Sequence, residues 1–183
     1  MPRSFRYPSV EDVLDIHEDI VSEYPDTSPG VRRRGDVGFA LAYVSDGSFG
    51  ELPETIHEKS FHLLRLLVAN HPFVDGNKRT ALNTTAAFYL LNGHRFTYDD
   101  EVRAILKQFG TDERTVDEDD VLGYLRSNNA TRRQRTSVPT EDRTRDDVPL
   151  DDVTDDIRRE TVLRVATADR DDHRDIYDAL NTE

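Results

Sequence analysis

Through most of the first 126 residues of this 183-residue chain, apolar residues return every three or four positions; beyond that point large apolar residues become sparse. An α-helix turns once in 3.6 residues, so such spacing gathers the apolar side chains on one face. Helices with one apolar face must pack against one another, and the fold class expected is all-α. Ser9 caps a first helix, with Asp12 three residues on and Val10, Val13, Leu14, Ile16, His17, Ile20 and Val21 at helical spacing; "EYPDTSPG" ends it. A shorter second helix is expected from about Asp36 to Val44, followed by the turn-like "SDGSFG", which suits an exposed flap. Pro53 suits the first turn of a third helix, striped by Ile56, Ser60, Leu63, Leu64, Leu67 and Val68. "KRTALNTTAAFYLL" has the length and apolar density of a buried helix, closed by Asn92 and Gly93. "HRFTYDD" reads as a short extended segment ending in an aspartate cap. A helix from roughly Glu101 to Phe109, ended by Gly110, and a last one from about Glu118 to Arg126, capped by Asp117, complete the segment.

After Arg126 the composition shifts to mixed charge, two prolines and few large apolar residues, so residues 127–149 are expected to be a linker or disordered. Leu150, Val153, Ile157, Val162 and Val165 outline a weak amphipathic helix, and Ile176, Tyr177 and Leu180 a shorter one. The expected organisation is a helical domain over 1–126, a linker over 127–149 and a weakly helical, partly disordered acidic extension over 150–183. That extension could dock, oligomerise or bind a partner.

Charge narrows the function. A net charge of −13 argues against direct nucleic-acid binding, which needs a basic face to displace counterions. The chain has no cysteine, hence neither disulfides nor thiolate metal sites, and no apolar run near the ~20 residues that span a bilayer. No membrane contact and a cytoplasmic location are expected. Only Lys59, Lys78 and Lys107 are lysines among 24 basic residues, and with 37 acidic residues this bias is that of a halophilic proteome. At about 1 M salt the screening length is about 3 Å, so charges that matter must touch.

Residues 70–83, "NHPFVDGNKRTALN", place a histidine, a carboxylate, a glycine, an amide and two cations just before a helix. A glycine turn at a helix start presents unpaired N–H groups, and the helix dipole adds about half a positive charge, which makes an anion cradle. Gly76 and Asn77 occupy that place. Lys78 and Arg79 oppose the dipole at a cost of some tenths of a kcal/mol, which a bound anion would reverse. Phosphate suits several donors better than carboxylate does, and Asp75 can hold a Mg²⁺ that bridges phosphate oxygens. His71 offers an imidazole, whose ordinary pKa of about 6.5 suits a general base. Singly, these residues have plainer readings: a structural histidine, a common Asp-Gly turn, a core phenylalanine at Phe73. The ordered set H-P-F-x-D-G-N-K-R is what points to chemistry.

That set resembles the Fic superfamily signature, H-x-F-x-[D/E]-G-N-G-R-x-x-R, and more closely its death-on-curing (Doc) branch, whose N-K-R-T-A-L-N is matched by Asn77–Asn83. The likeness covers residues 7 to about 126; the tail has no counterpart. The resemblance implies a compact all-α Fic/Doc-like bundle that binds ATP and Mg²⁺. It implies His71 as the base that activates a hydroxyl on a target protein, Phe73 as a core anchor and Asp75 as the metal ligand. Gly76 and Asn77 would contact phosphates, Lys78 and Arg79 would neutralise them, and Tyr43 to Glu51 would be the flap that aligns the target. Lys78 replaces the second glycine of the general pattern and Leu82 its final arginine. Those two features seat the nucleotide for AMP transfer in most Fic enzymes, whereas Doc-type proteins share the replacements and expose the γ-phosphate. Phosphoryl transfer is therefore favoured over AMP transfer. Gly76 stands where alanine is frequent in the Doc branch. Doc-type proteins are toxins that phosphorylate the elongation factor carrying aminoacyl-tRNA and are restrained by a small antitoxin. The nearest string to the family's internal inhibitory pattern, Ser137 to Glu141, contains Pro139, so inhibition in trans is expected. An AMP transferase and a non-catalytic antitoxin-binding module are the alternatives.

His57 and His62, five apart, diverge by about 140° on a helix and cannot share a metal as an i, i+4 pair could. His57 is expected at the surface and His62 at the core edge. "RRR" at 32 to 34 is a solvated turn or a landing point for an acidic antitoxin segment. His17, His94 and His173 have no partners in sequence that suggest chemistry.

Overall fold

A computed structural model describes residues 4–131 and 155–180, and its hub is α3 (Ile56–Ala69). Thr55 and Glu58 cap α3 reciprocally, each side chain accepting from the other's backbone N–H, so the helix starts after Pro53, not around it. The stripe Ile56, Ser60, Leu63, Leu64, Leu67 and Val68 is buried as the spacing requires. Around α3 pack α2 (Arg34–Asp46), α4 (Asn77–Leu91), α5 (Glu101–Asp112) and α6 (Glu118–Ser127). α1 (Val10–Glu23) leans on α2 and α4, and its Ser9–Asp12 capping box forms as spaced. The fold is all-α, and no helix among the described residues is long and apolar enough to cross a membrane.

Four local expectations are corrected. Gly110 does not end α5, which continues to Asp112; a Cβ there would meet Lys78 Cε and Val68 Cγ1 at 3.5 Å, an ordinary contact, so space does not demand glycine. "HRF" becomes β1 (His94–Phe96), paired antiparallel with β2 (Asn129–Thr131), so the chain just beyond α6 packs where a linker was expected. Asp100 precedes α5 without capping it through its side chain; Asp99 instead accepts from the Glu101 N–H at 3.2 Å. Of the expected flap, Tyr43 to Asp46 belong to α2, and beyond Gly47 the chain makes a tight turn in which Ser48 and Glu51 exchange backbone bonds of 2.9 Å and Phe49 is 97% exposed.

The C-terminal extension folds back onto the same core. α7 (Asp155–Asp172) lies against α1 and α4, burying Val162 and Ala166 against Ile16, Ile20 and Ala87. Arginines supply much of the rest. Arg158 donates to the buried Asp12 at 2.7 Å, and Arg159 pairs with Asp15. Arg170, 2% exposed, donates to Glu23, Asn83, Asp19 and Thr167 at 2.7 to 3.3 Å. α8 (Arg174–Ala179) buries Ile176 and Tyr177, and the Tyr177 hydroxyl joins that of Tyr98 on the Asp169 carboxylate. Most of the expected linker, with Ser137 to Glu141, Leu150 and Val153, lies outside the described residues.

Candidate functional site

The chain leaves α3 through Asn70 and reverses at His71, whose φ of +47° is a left-handed conformation seldom adopted by side-chain-bearing residues. His71 is exposed at the rim of a cavity of about 500 Å³. Behind it Phe73 is fully buried, with the His17 ring stacked on it at a 3.9 Å centroid separation. Burial holds His17 down at about 4, so it is a neutral packing group.

The loop is closed by its own polar groups. Asn77 accepts from the Phe73 N–H at 3.0 Å and donates to the Phe73 carbonyl at 3.1 Å. Asp75 accepts from the Gly76 N–H at 2.7 Å and, from across the cavity's edge, the Ser28 N–H at 3.1 Å. Gly76 follows at φ +75° as the N-cap of α4, without a side chain to satisfy the helix's first N–H groups. A Cβ there would stand 3.1 Å from Thr27 Cγ2 and 3.6 Å from His17 Cε1. The positive φ favours glycine, and a side chain there would also press on the Thr27 methyl.

His71, Asp75, Gly76, Asn77, Lys78 and Arg79 all line this one cavity, together with Asp26, Val68, Val74 and Leu180. The spacing does bring the set together, but not every group is turned to a ligand. The Gly76 N–H and the Asn77 side chain are engaged within the loop, which leaves the Asn77 backbone N–H as the donor these two residues can offer an anion. Arg79 is 2% exposed: Nε donates to the Tyr177 carbonyl at 2.8 Å, Nη1 to Thr27 at 3.0 Å, and the guanidinium lies 3.8 Å over the Tyr24 ring. Burial lowers its pKa, yet it stays charged, so it acts as a fixed positive charge in the wall. Lys78 is half-buried, its stem passing Gly110.

Mg²⁺ fits this donor set in one way. A carboxylate has about four acceptor positions and Asp75 uses two on backbone N–H groups, so two remain. No group of three His, Cys, Asp or Glu side chains able to hold a metal occurs among the described residues. Asp75 would thus be a single protein ligand, the rest of the shell coming from phosphate oxygens and water, as is usual for Mg²⁺.

Sequence reasoning missed the contributions of Tyr24, Asp26, Thr27 and Ser28, read only as a helix stop, and of Tyr177 and Leu180, read only as an apolar pattern. None carries a local signal of its role, because each meets the motif through contacts about 50 to 100 positions away in sequence. His57, expected at the surface, is half-buried with Nδ1 3.0 Å from the Tyr89 hydroxyl. His62 sits at the core edge against Tyr43 and Phe61, and burial pushes it to about 4.

Among curated proteins no relative matches this chain. Residues 7–89, which carry α1, α2, α3, the whole motif loop and nearly all of α4, match the model of the Fic/DOC family, and that match supports a place for this segment in the Fic/Doc superfamily.

Proposed function

We propose that the protein transfers the γ-phosphate of ATP to a hydroxyl of another protein, as a Doc-type toxin restrained by an antitoxin in trans. The observation that carries this reading is the convergence of His71, Asp75 and the glycine-capped N-terminus of α4 on one cavity, with Arg79 fixed in its wall. The α4 dipole and two cations favour phosphate there. Asp75 would hold Mg²⁺, which supplies neutralisation of phosphate charge when bound. His71, at the rim, accepts the proton of the acceptor hydroxyl as its oxygen bonds to the γ-phosphorus; the bond from that phosphorus to the ADP oxygen breaks, and ADP leaves. Lys78 and Leu82, in place of the general pattern's glycine and arginine, support γ-phosphate over AMP transfer. The elongation factor that carries aminoacyl-tRNA is the acceptor this reading predicts.

The test is transfer to cellular proteins from ATP labelled on the γ- or the α-phosphate. We expect γ-label to transfer, and His71→Ala to remove transfer and growth arrest by at least about a hundredfold, the usual worth of a positioned base, with an unchanged melting curve. Label from the α-phosphate assigns AMP transfer instead. A fully toxic His71→Ala protein overturns the reading.

A further inference from the structure

The motif loop has a neighbour at the mouth of the cavity. Residues 30–33 run antiparallel beside it: the Val74 N–H donates to the Gly30 carbonyl at 3.0 Å, and Val31 bridges to Phe73. The N–H groups of Arg32 and Arg33 both donate to the Pro72 carbonyl, at 2.8 and 3.0 Å. Two arginines are thereby anchored one residue from His71, by backbone bonds that leave their side chains outside the cavity's lining.

Those side chains are poorly neutralised. Arg34 pairs with Glu11, but among the described residues Arg33, 75% exposed, reaches only Asp36, at 4.0 Å, and Arg32 has no carboxylate partner. This happens in a chain with 37 carboxylates against 24 lysines and arginines. Exposed charges of this kind contribute about 0–1 kcal/mol to folding, so stability does not account for them. Beside them lie Val31, 46% exposed, and Val74, 41% exposed, on the two bridged segments. The result is a small cationic and aliphatic patch on an otherwise anionic protein, at the rim residue assigned to proton transfer.

We propose that Arg32, Arg33, Val31 and Val74 form the docking surface for the acceptor protein and take a segment with carboxylates and an aliphatic side chain next to its reacting hydroxyl. The proposal rests on the protein-transferase reading above and names its substrate class. Charge complementarity selects an acidic segment, and position selects an acceptor over a distant regulator, since whatever binds there is brought to His71. Guanidinium–carboxylate contacts are direct and bidentate, so they persist where salt screens beyond about 3 Å.

The experiment measures binding to the full chain, by calorimetry, of two short synthetic peptides with a central threonine. One is flanked by aspartate, glutamate and leucine; the other has lysine in place of each acid. We expect the wild type to prefer the acidic peptide by about tenfold or more, the Arg32→Gln/Arg33→Gln protein to lose the preference, and Arg32→Glu/Arg33→Glu to invert it. ATP affinity should stay within about twofold throughout, because the two arginine side chains lie outside the cavity's lining. Equal binding of both peptides, no binding of the acidic one, an unchanged preference in both variants, or a fall in ATP affinity would each overturn the proposal. So would an acidic peptide bound through the arginines yet never labelled, which assigns the surface to a restraining partner. Transfer of label to cellular proteins is read separately, so the transferase reading and the docking surface can fail independently.

Discussion

The two faces that enclose α4 are held by opposite kinds of force. Toward α3 the contact is made of fully buried Leu63, Leu64, Leu67, Leu82 and Phe88. Toward α7 it is made of Val162 and Ala166 with the buried Arg170, whose guanidinium reaches Asn83 on α4 and Asp19 and Glu23 on α1. Apolar burial is non-directional and stabilises by about 25 cal/mol per Å². A buried arginine is held only if its donors meet acceptors in the right directions, and its net worth is small because desolvation offsets the attraction. The first face determines whether the chain folds at all. The second determines where the tail sits, and through the Tyr177 carbonyl, how Arg79 is turned at the cavity.

Removing a core side chain should have the largest effect. Leu64→Ala deletes a fully buried leucine and should cost about 3–4 kcal/mol, read as one cooperative shift of the denaturation curve. A loss under about 1 kcal/mol would break the claim that the α3 face carries the fold.

Acid should separate the two faces next. His17, on the motif side, is depressed to about 4 by burial, so the unfolded chain binds the extra proton between pH 6.5 and 4. Stability from His17 is present above pH 6.5 and falls as pH drops toward 4, by about 3 kcal/mol. His173, on the tail, goes the other way. Burial lowers its pKa, but the Asp169 carboxylate and carbonyl beside it raise it by more, so the net shift is upward. Its contribution is present below pH 6.5 and is lost as pH rises through the elevated folded value. A histidine-resolved NMR titration should find His17 changing near pH 4 and His173 above 6.5; both changing near 6.5 would erase the contrast.

The smallest effect should come from the polar face. Arg170→Met keeps the stem and removes the charge, and because Asp19 and Glu23 are partly exposed they can rehydrate, so about 2 kcal/mol is expected rather than the 3–5 of a fully buried pair. Amide exchange should quicken in α7 and α8 while α3 keeps its protection. Equal loosening of α3 would show that the faces are one cooperative unit.

Much of the helical domain was legible because its signals are local. The Ser9–Asp12 box, the α3 stripe and the Asp117 cap each act within one or two helical turns. Gly110 misled because a glycine that ends a helix and one inside a helix that runs on to Asp112 look alike in sequence. At the site, spacing alone gathered His71, Asp75, Gly76, Asn77, Lys78 and Arg79, since nine consecutive positions around one turn cannot separate far. Their directions were not legible: Asn77 was read as a phosphate contact and its side chain is stapled to Phe73, and Arg79 was read as neutralising phosphate and its guanidinium is held by Thr27 and Tyr177.

By itself the order of residues determined that helices form, which faces they bury, and that histidine, carboxylate and cations meet at a helix start, because each of these follows from 3.6-residue periodicity and short-range spacing. Only tertiary structure decided that a turn at Tyr24 to Ser28 and the chain around Tyr177 to Leu180 would wall the cavity, and that the backbone of Arg32 and Arg33 would bond to Pro72 in the motif loop. Those pairings join groups separated by about 40 to 100 positions, and hydrogen bonds leave no periodic trace in the chain by which their distant partners could be read.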